Sequence, residues 1–575
     1  MPEKPAIPRG PIATPSTKPP ATDASSKAKG KGKDEHRDSP REIAETVVFV
    51  VVLVLMLKTF VAEAFVIPTG SMAETLYGYH KMVTCDKCGF VFPLNCHNEV
   101  ENNIPALDAV CPNCQHQIHW SSADQGPTWS SGDRVLVAKF LYDNNHLWSP
   151  KRHEVIVFKY PGEEHGDTIE GGPQKANSAM NYIKRCEGLE EETIAIYGGD
   201  LYVTKSLHYP PPQGDPKNFW LKANMHIDDP DAVALFHQSI TRRIQNRGTP
   251  DDFEIIRKTP GMILDVRRPV YDNDHQAKDL TNKIDQRWRM SDQAGWSGDD
   301  ATFPKTFTHA AGEAKEQWLE YHHLLRESAR NSAIANPRGF ESDPRRLISN
   351  ALGYNSGGAD QNAMWNRWVG DLMLDCTVKV TDPQGEFVLE LAKGIDRFQA
   401  RFDLASGDCT LVRLTGKLGN QMEKQELAKK PTNLKKSGSY HVRFANFDER
   451  LTVWVDRELP FGDGVAYSPA TEEGPIGEND LTPARVGANK AGVAVSHLQL
   501  WRDIYYTIPP TLPEGNKEVL TMYVQKGHFL ALGDNSSSSS DSRYWGLVPR
   551  RLLLGRALAV YFPFWPFDQR AGFIR

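Results

Sequence analysis

The sequence predicts a mainly β protein behind one N-terminal transmembrane helix. An apolar run from Ile43 to Val66 has the length of one bilayer crossing at about 1.5 Å per residue. Short alternating or continuously apolar runs, bounded by turn residues, recur from Gly132 onward and read as strands. Seven of them, between Leu372 and Tyr505, have the regular spacing of a β-sandwich. At 575 residues the chain exceeds one ordinary core, so three or four folded units are expected. A net charge of -6 leaves no footprint for nucleic acid, and eight cysteines are too few for a disulfide-built scaffold.

Residues 1–42 are rich in Pro, Lys, Ala and Ser and should be disordered, because they cannot bury enough surface to offset the entropy of ordering. Lys27, Lys29, Lys31, Lys33, Arg37 and Arg41 precede the apolar run, and basic residues in that position stay in the cytoplasm. Residues 43–66 form the expected helix, with an uninterrupted apolar core from Val47 to Leu57. Glu45, Lys58 and Glu63 lie near its ends, where long side chains reach the headgroups. Ala62-Glu63-Ala64 also has the form of a leader cleavage site, so a removable leader is the alternative. Both readings put the remainder outside the cytoplasm.

Within residues 84–118, Cys85-Asp86-Lys87-Cys88 and Cys111-Pro112-Asn113-Cys114 form two C-x-x-C pairs. Four thiolates so spaced can converge tetrahedrally on a structural Zn²⁺, and Gly89 fits a tight knuckle; the segment resembles a zinc ribbon. Two disulfides are the alternative outside the cytoplasm, and Cys96 and His97 are further ligand candidates. Four thiolates leave no open position, so the metal would not be catalytic.

Gly132–Val137, His153–Lys159, Tyr182–Arg185 and Thr193–Tyr197 read as strands of one unit that breaks off near Thr204. Residues 205–367 are polar and mixed, with a helical candidate at Gly312–Ser328 and no assignable fold. Their histidines, among them His208, His226, His237, His322 and His323, are scattered and read as ordinary surface or core residues. Residues 368–508 are the expected sandwich, in which Tyr440 to Asp456 resembles the paired strands of a laminin G/concanavalin-like jelly roll. That likeness implies carbohydrate or protein as a ligand, although no calcium cluster is evident. Cys376 and Cys409 could pair there or remain free. Strands resume at Leu520–Gln525, His528–Leu532 and Arg556–Phe562. The aromatic tail Tyr561 to Phe567 suits either a bilayer interface or packing on the sheet.

Chemistry concentrates in three stretches. Ser71 lies in Ile67-Pro68-Thr69-Gly70-Ser71-Met72, just after the apolar run. A serine hydroxyl needs a base, and Lys184 in Asn181-Tyr182-Ile183-Lys184-Arg185 is the candidate. Lysine serves only when neutral, and burial in apolar surroundings lowers a lysine pKa by up to about 3–5 units. The third stretch is Gly533-Asp534-Asn535, a run of serines from Ser536 to Ser540, and Ser542-Arg543-Tyr544-Trp545-Gly546. In this order, behind an apolar segment, the three resemble type I signal peptidase, the membrane-bound Ser/Lys protease family.

The resemblance covers residues 43–204 and about 516–575, less the cysteine loop. It implies one β catalytic domain split between 67–204 and 516–575 by the insertion. It also implies that Ser71 is the nucleophile and Lys184 the general base, with the Ser71 N–H and the Thr69 hydroxyl holding the oxyanion. Ser539 would orient Lys184, and Asp541 and Arg543 would form a supporting ion pair with Asp534 nearby. Catalysis would need no cofactor. The partners would be exported preproteins, cut after small side chains, and membrane lipid, with the chain crossing once and its N-terminus cytoplasmic. Three positions depart from the family pattern: Glu74 replaces a proline, Glu190-Glu191-Glu192 replace the turn after Gly188-Leu189, and His153-Glu154 replace a Gly-Asp. Two rivals follow: a degenerate peptidase that binds through its sandwich, and a protease dedicated to one surface substrate. Removing about 205–515 should spare general cleavage and abolish dedicated cleavage.

Overall fold

The computed structural model describes residues 40–56, 58, 61–139, 141–142, 148–161, 180–210, 225–282, 285–291, 295–312, 315–326, 334–357, 366–471, 474–509, 518–562 and 572–574. The expected disordered tail up to residue 39 and most of the aromatic tail, from residue 563, lie outside them.

The N-terminal helix spans Pro40–Met56. Proline suits its first position, and Arg41 donates to Glu45 one turn on at 2.8 Å. Its apolar side chains from Val47 to Met56 are all exposed. Seventeen residues rise about 25 Å, and among the described residues no helix is long and apolar enough to cross a membrane. The helix expected over 43–66 is therefore corrected at its end. Ala62–Val66 is a strand, paired with Arg134–Ala138. The reason is its alternation: Phe65 packs on the core that holds Ile67 and Val135, while Ala64 and Val66 on the other face are exposed, and Glu63 near the strand's start meets Lys139 at 3.1 Å.

Strands from the region Ala62 to Thr204 and from the C-terminal segment share sheets. The main sheet runs, in spatial order, Ala62–Val66, Arg134–Ala138, Leu553–Phe562, Val155–Lys159, Asn181–Gly188, His528–Leu532, Val548–Pro549. A second sheet joins Glu254–Ile255, Asp200–Thr204, Glu192–Tyr197 and Val519–Val524. This second sheet does not break off at Thr204. The helix Pro230–Ile244, started by the Asp229 side chain accepting from the Asp231 and Ala232 N–H groups, buries Phe236 and Ile240 against Tyr202 and Ile255.

The sandwich is larger than residues 368–508. One sheet orders Trp296–Gly298, Thr306–His309, Gly492–Arg502, Leu372–Asp382, Gly438–Phe447, Arg450–Val455 and Val465–Ala466, with Arg268–Asp272 also on Gly492–Arg502. The other orders Trp288–Met290, Gln317–Tyr321, Ala484–Asn489, Glu386–Lys393, Asp396–Asp403, Asp408–Thr415 and Glu423–Pro431. Its first strands thus come from the region left unassigned. These are short strands with polar neighbours, too brief to announce a period. The helical candidate Gly312–Ser328 holds the strand Gln317–Tyr321 instead, because its alternation sends Leu319 and Tyr321 into the core. Cys376 and Cys409 are separate buried thiols on facing sheets.

At the junction of the second sheet and the sandwich, Asp200 meets Asp371, Asp448 and Asp503, with carboxylate oxygens within 4.8 Å of one another. Two lysines supply the countercharge. Lys258 Nζ donates to Asp448 at 2.6 Å and Asp503 at 2.7 Å, and Lys393 Nζ donates to Asp371 at 2.5 Å. The cluster was invisible in the sequence because its members lie up to three hundred residues apart. Removing one partner of a buried ion pair costs about 3–5 kcal/mol, so Lys258→Met should lower the urea midpoint by a corresponding amount. An unchanged midpoint would mean that the ammonium is not what holds these carboxylates.

Candidate active site

Ser71 sits in a single 3₁₀ turn, Gly70–Met72, entered from the strand Ala62–Val66. Lys184 projects from the middle of Asn181–Gly188, the strand that pairs with both Val155–Lys159 and His528–Leu532. The two side chains meet: Lys184 Nζ lies 2.6 Å from Ser71 Oγ, and both are buried. The ammonium position is otherwise poorly served, with the Ile183 carbonyl at 3.1 Å and the face of Tyr182 at 5.4 Å from the ring centre. Burial pushes the Lys184 pKa down to about 8, against the pull of Asp541 and Asp534 and with a smaller push from Arg543.

The supporting residues fall around this pair, with one correction, at Ser539. Arg543 grips Asp541 through Nε at 2.8 Å and Nη2 at 2.6 Å, the ion pair that was expected. Asp534 belongs to a different pair: Arg185 donates to both its oxygens, at 2.8 and 2.6 Å, and Thr75 donates to it at 2.6 Å. Burial would raise the Asp534 carboxyl, but Arg185 holds it below the usual carboxylate range. Ser539 does not touch Lys184. Its hydroxyl is buried beside Gly533 without a hydrogen-bond partner among the described residues. A side chain at Gly533 would begin 2.1 Å from Ser539 Oγ and 2.6 Å from the Ser71 carbonyl oxygen, so only glycine fits there. The serine run is a shaped loop: Ser536 accepts from Arg543 Nη1 at 2.6 Å and from the Thr507 N–H at 2.9 Å.

The departures from the family pattern are accommodated locally. His153 takes φ 70°, a conformation glycine adopts freely, and is held by Glu187 at 3.0 Å. The turn after Gly188 is closed by Glu192, which accepts from the Leu189 N–H at 2.9 Å and from Arg152 at 2.6 Å. Glu74 lies in the field of Arg268 and Arg502, which oppose the upward push of burial on its carboxyl.

The pair opens into a cleft of about 820 Å³. Thr69, Ser71, Tyr182, Lys184 and Ser539 form one side; Pro112 and Gln115 of the cysteine loop, and Leu347, Asn350, Leu352 and Asn355 of the insertion, form the other. No aspartate or glutamate is among its described lining residues. Arg185, Thr75, Asn535 and Asn355 are site residues that the sequence reading missed. Arg185 carried a signal, being next to Lys184 in a strand, but arginines there are usually solvated; Asn355 carried none.

The four cysteines Cys85, Cys88, Cys111 and Cys114 bring their sulfurs within 4.8 Å of one another, all buried. Cys85 and Cys114 sulfurs are 3.6 Å apart, as are those of Cys88 and Cys111. Tetrahedral Zn–S bonds of about 2.3 Å put sulfurs roughly 3.8 Å apart, whereas a disulfide needs about 2 Å, so the set fits a metal. Each pair ends in a knuckle: Gly89 at φ 71° and Gln115 at φ 60° donate their N–H groups to Cys85 and Cys111 carbonyls. Cys96 and His97 stand outside the group.

The chain matches the family of signal peptidases, peptidase S26, over residues 114–218 and 493–562, segments that include Lys184 and the Gly533 to Gly546 stretch but begin after Ser71. It is 42% identical over 61 residues to signal peptidase I of Buchnera aphidicola from Acyrthosiphon pisum, covering 10% of this chain and 19% of that one. It is 45% identical over 53 residues to the mitochondrial inner membrane protease subunit 1 of Mus musculus, covering 9% and 30%. Across these two relatives the chain thus spans between about a fifth and a third of their length. Among solved structures, a carbohydrate binding module from Bacillus subtilis matches at 11% identity and a TM-score of 0.22, covering 37% of this chain and 95% of that one. The family and the relatives together support a peptidase of the signal peptidase kind.

Proposed function

We propose that this chain is a membrane-anchored serine endopeptidase that removes signal peptides from exported preproteins, using Ser71 and Lys184. The observation that carries the proposal is the 2.6 Å approach of Lys184 Nζ to Ser71 Oγ in a buried cleft. Neutral Lys184 takes the Ser71 proton as Oγ attacks the scissile carbonyl. It then returns that proton to the departing amine, and water hydrolyses the resulting ester by the same route. Thr69 on the cleft rim and the Ser71 N–H would hold the oxyanion. A cleft lined mostly by amides, hydroxyls and apolar groups, with His97, His323 and Arg502 but no acid among the described lining residues, supports a peptide with small uncharged side chains near the bond. The exposed apolar side chains of Pro40–Met56, after a basic segment, support anchorage in lipid with the N-terminus cytoplasmic and the peptidase outside. Cys85, Cys88, Cys111 and Cys114 would hold a structural Zn²⁺ that fixes the loop facing the cleft.

In detergent, the full chain should cleave a signal-bearing preprotein, and Ser71→Ala and Lys184→Ala should each abolish cleavage while the melting curve is kept. Cleavage that survives either substitution would sink the dyad. Because the base must be neutral, kcat/KM should fall about tenfold per pH unit below about 8 and level off above it. A flat profile between pH 6 and 8 would mean that another group takes the proton. Purified chain should carry about one zinc per molecule by elemental analysis, reduced to background in Cys111→Ser; wild type without metal would return the cysteines to the disulfide alternative.

A further inference from the structure

We infer that the insertion supplies a positioning residue of the active site, Asn355, which holds the Ser71 turn in place through Asn535. Its catalytic consequence depends on Ser71 and Lys184 acting as proposed above. Asn355 lies in the short turn Gly353–Gly357, far from either family-like segment. Its carboxamide pairs with that of Asn535 in both directions: Asn355 Nδ2 donates to Asn535 Oδ1 and Asn535 Nδ2 donates to Asn355 Oδ1, each at 2.8 Å.

Asn535 in turn holds the nucleophile. Its backbone N–H donates to the Ser71 carbonyl at 3.1 Å, and its Nδ2 donates to the Gly70 carbonyl at 3.0 Å. Both protons of that amide nitrogen are therefore used, one on each side of the contact. Without Asn355, the buried Asn535 loses an acceptor and a donor, and nothing described fixes the rotation that aims its nitrogen at Gly70. The neighbouring residue fits the same turn by shape. A side chain at Gly70 would begin 2.3 Å from Tyr354 Cε1, so the Tyr354 ring occupies the space directly against the serine turn. Tyr354 stacks on Tyr77 with ring centres 5.7 Å apart, and Ser356 Oγ accepts from the Val110 N–H at 2.9 Å. Asn355 is thus held from both sides and can act as a fixed support. It touches no reacting atom; its role is the aim of Ser71 Oγ at Lys184 and substrate.

Full-length protein carrying Asn355→Ala, Asn535→Ala or both should be assayed on a preprotein and followed by amide exchange. Asn355→Ala should lower kcat about tenfold with KM within about twofold, since small displacements of a nucleophile are costly. The double variant should be no slower than Asn535→Ala alone, the mark of one shared path. Exchange of the Asn535 N–H, which Ser71 accepts, should quicken in Asn355→Ala. Unchanged kcat, or losses that simply add, would overturn the inference and leave Asn355 a packing residue. A wild type that cleaves nothing would defeat the proposed function instead; exchange then decides alone, with unchanged protection overturning the positioning role. If Asn355→Ala does not fold, Asn355→Leu, which keeps the branched shape and loses both donor and acceptor without adding charge, makes the same comparison.

Discussion

A lysine that must be neutral to act as the proposed base lies within the field of two aspartates, and most of the site can be read as the consequence. Lys184 is buried, which favours the uncharged amine, yet Asp541 and Asp534 both pull it back towards ammonium. Each carboxylate is gripped through both oxygens by its own arginine, Arg543 or Arg185, and all four side chains are buried. A closely paired charge acts at a distance as a dipole, so its field at Lys184 is weaker than that of a free carboxylate. The arginines thereby favour the neutral Lys184 amine as well as the fold. They also tie the site together: Asp541 accepts from the Gly533 N–H at 3.0 Å, and Arg543 reaches the Thr507 carbonyl at 2.6 Å, at the end of the insertion.

The insertion is part of this arrangement rather than a separate module on a tether. Arg268, on a strand of the sandwich, donates to the Ala73 carbonyl at 3.0 Å, just beyond Ser71. Asp200 of the peptidase unit joins the lysine–aspartate cluster of the sandwich. The second wall of the cleft is made from the cysteine loop and from residues near Leu347 to Asn355. Excising residues 205–515 would therefore strip the support from the serine turn, and would not cleanly separate a general peptidase from a dedicated one. A peptide bound in this cleft as proposed would meet both the split β unit and the insertion.

The strands of the peptidase unit were legible because their apolar runs are long and central. His528–Leu532 came out with the same bounds, and Lys184 was placed on a strand that proves longer on both sides. The seven expected sandwich strands all exist, while those contributed by residues 268–321, together with Glu423–Pro431, Val465–Ala466 and Ala484–Asn489, were missed. Most of these are short or lie at a sheet edge, so their sequences carry little period. The end of the N-terminal helix was misjudged for a related reason: Ala-Glu-Ala-Phe-Val is apolar enough to prolong a helix, and only its partner Arg134–Ala138 makes it a strand.

By itself the sequence determined which groups could react and which could bind metal. Serine and lysine in that order, a glycine–aspartate stretch and two C-x-x-C pairs are chemical identities, and identity does not depend on folding. Tertiary structure alone decided the partners. It paired Asp534 with Arg185, left the Ser539 hydroxyl without a hydrogen bond to Lys184, and brought Asn355 to Asn535 across 180 residues of chain. Such choices turn on distances of a few ångströms between segments remote in sequence. They are set by how whole sheets pack, and no local pattern of residues carries that information.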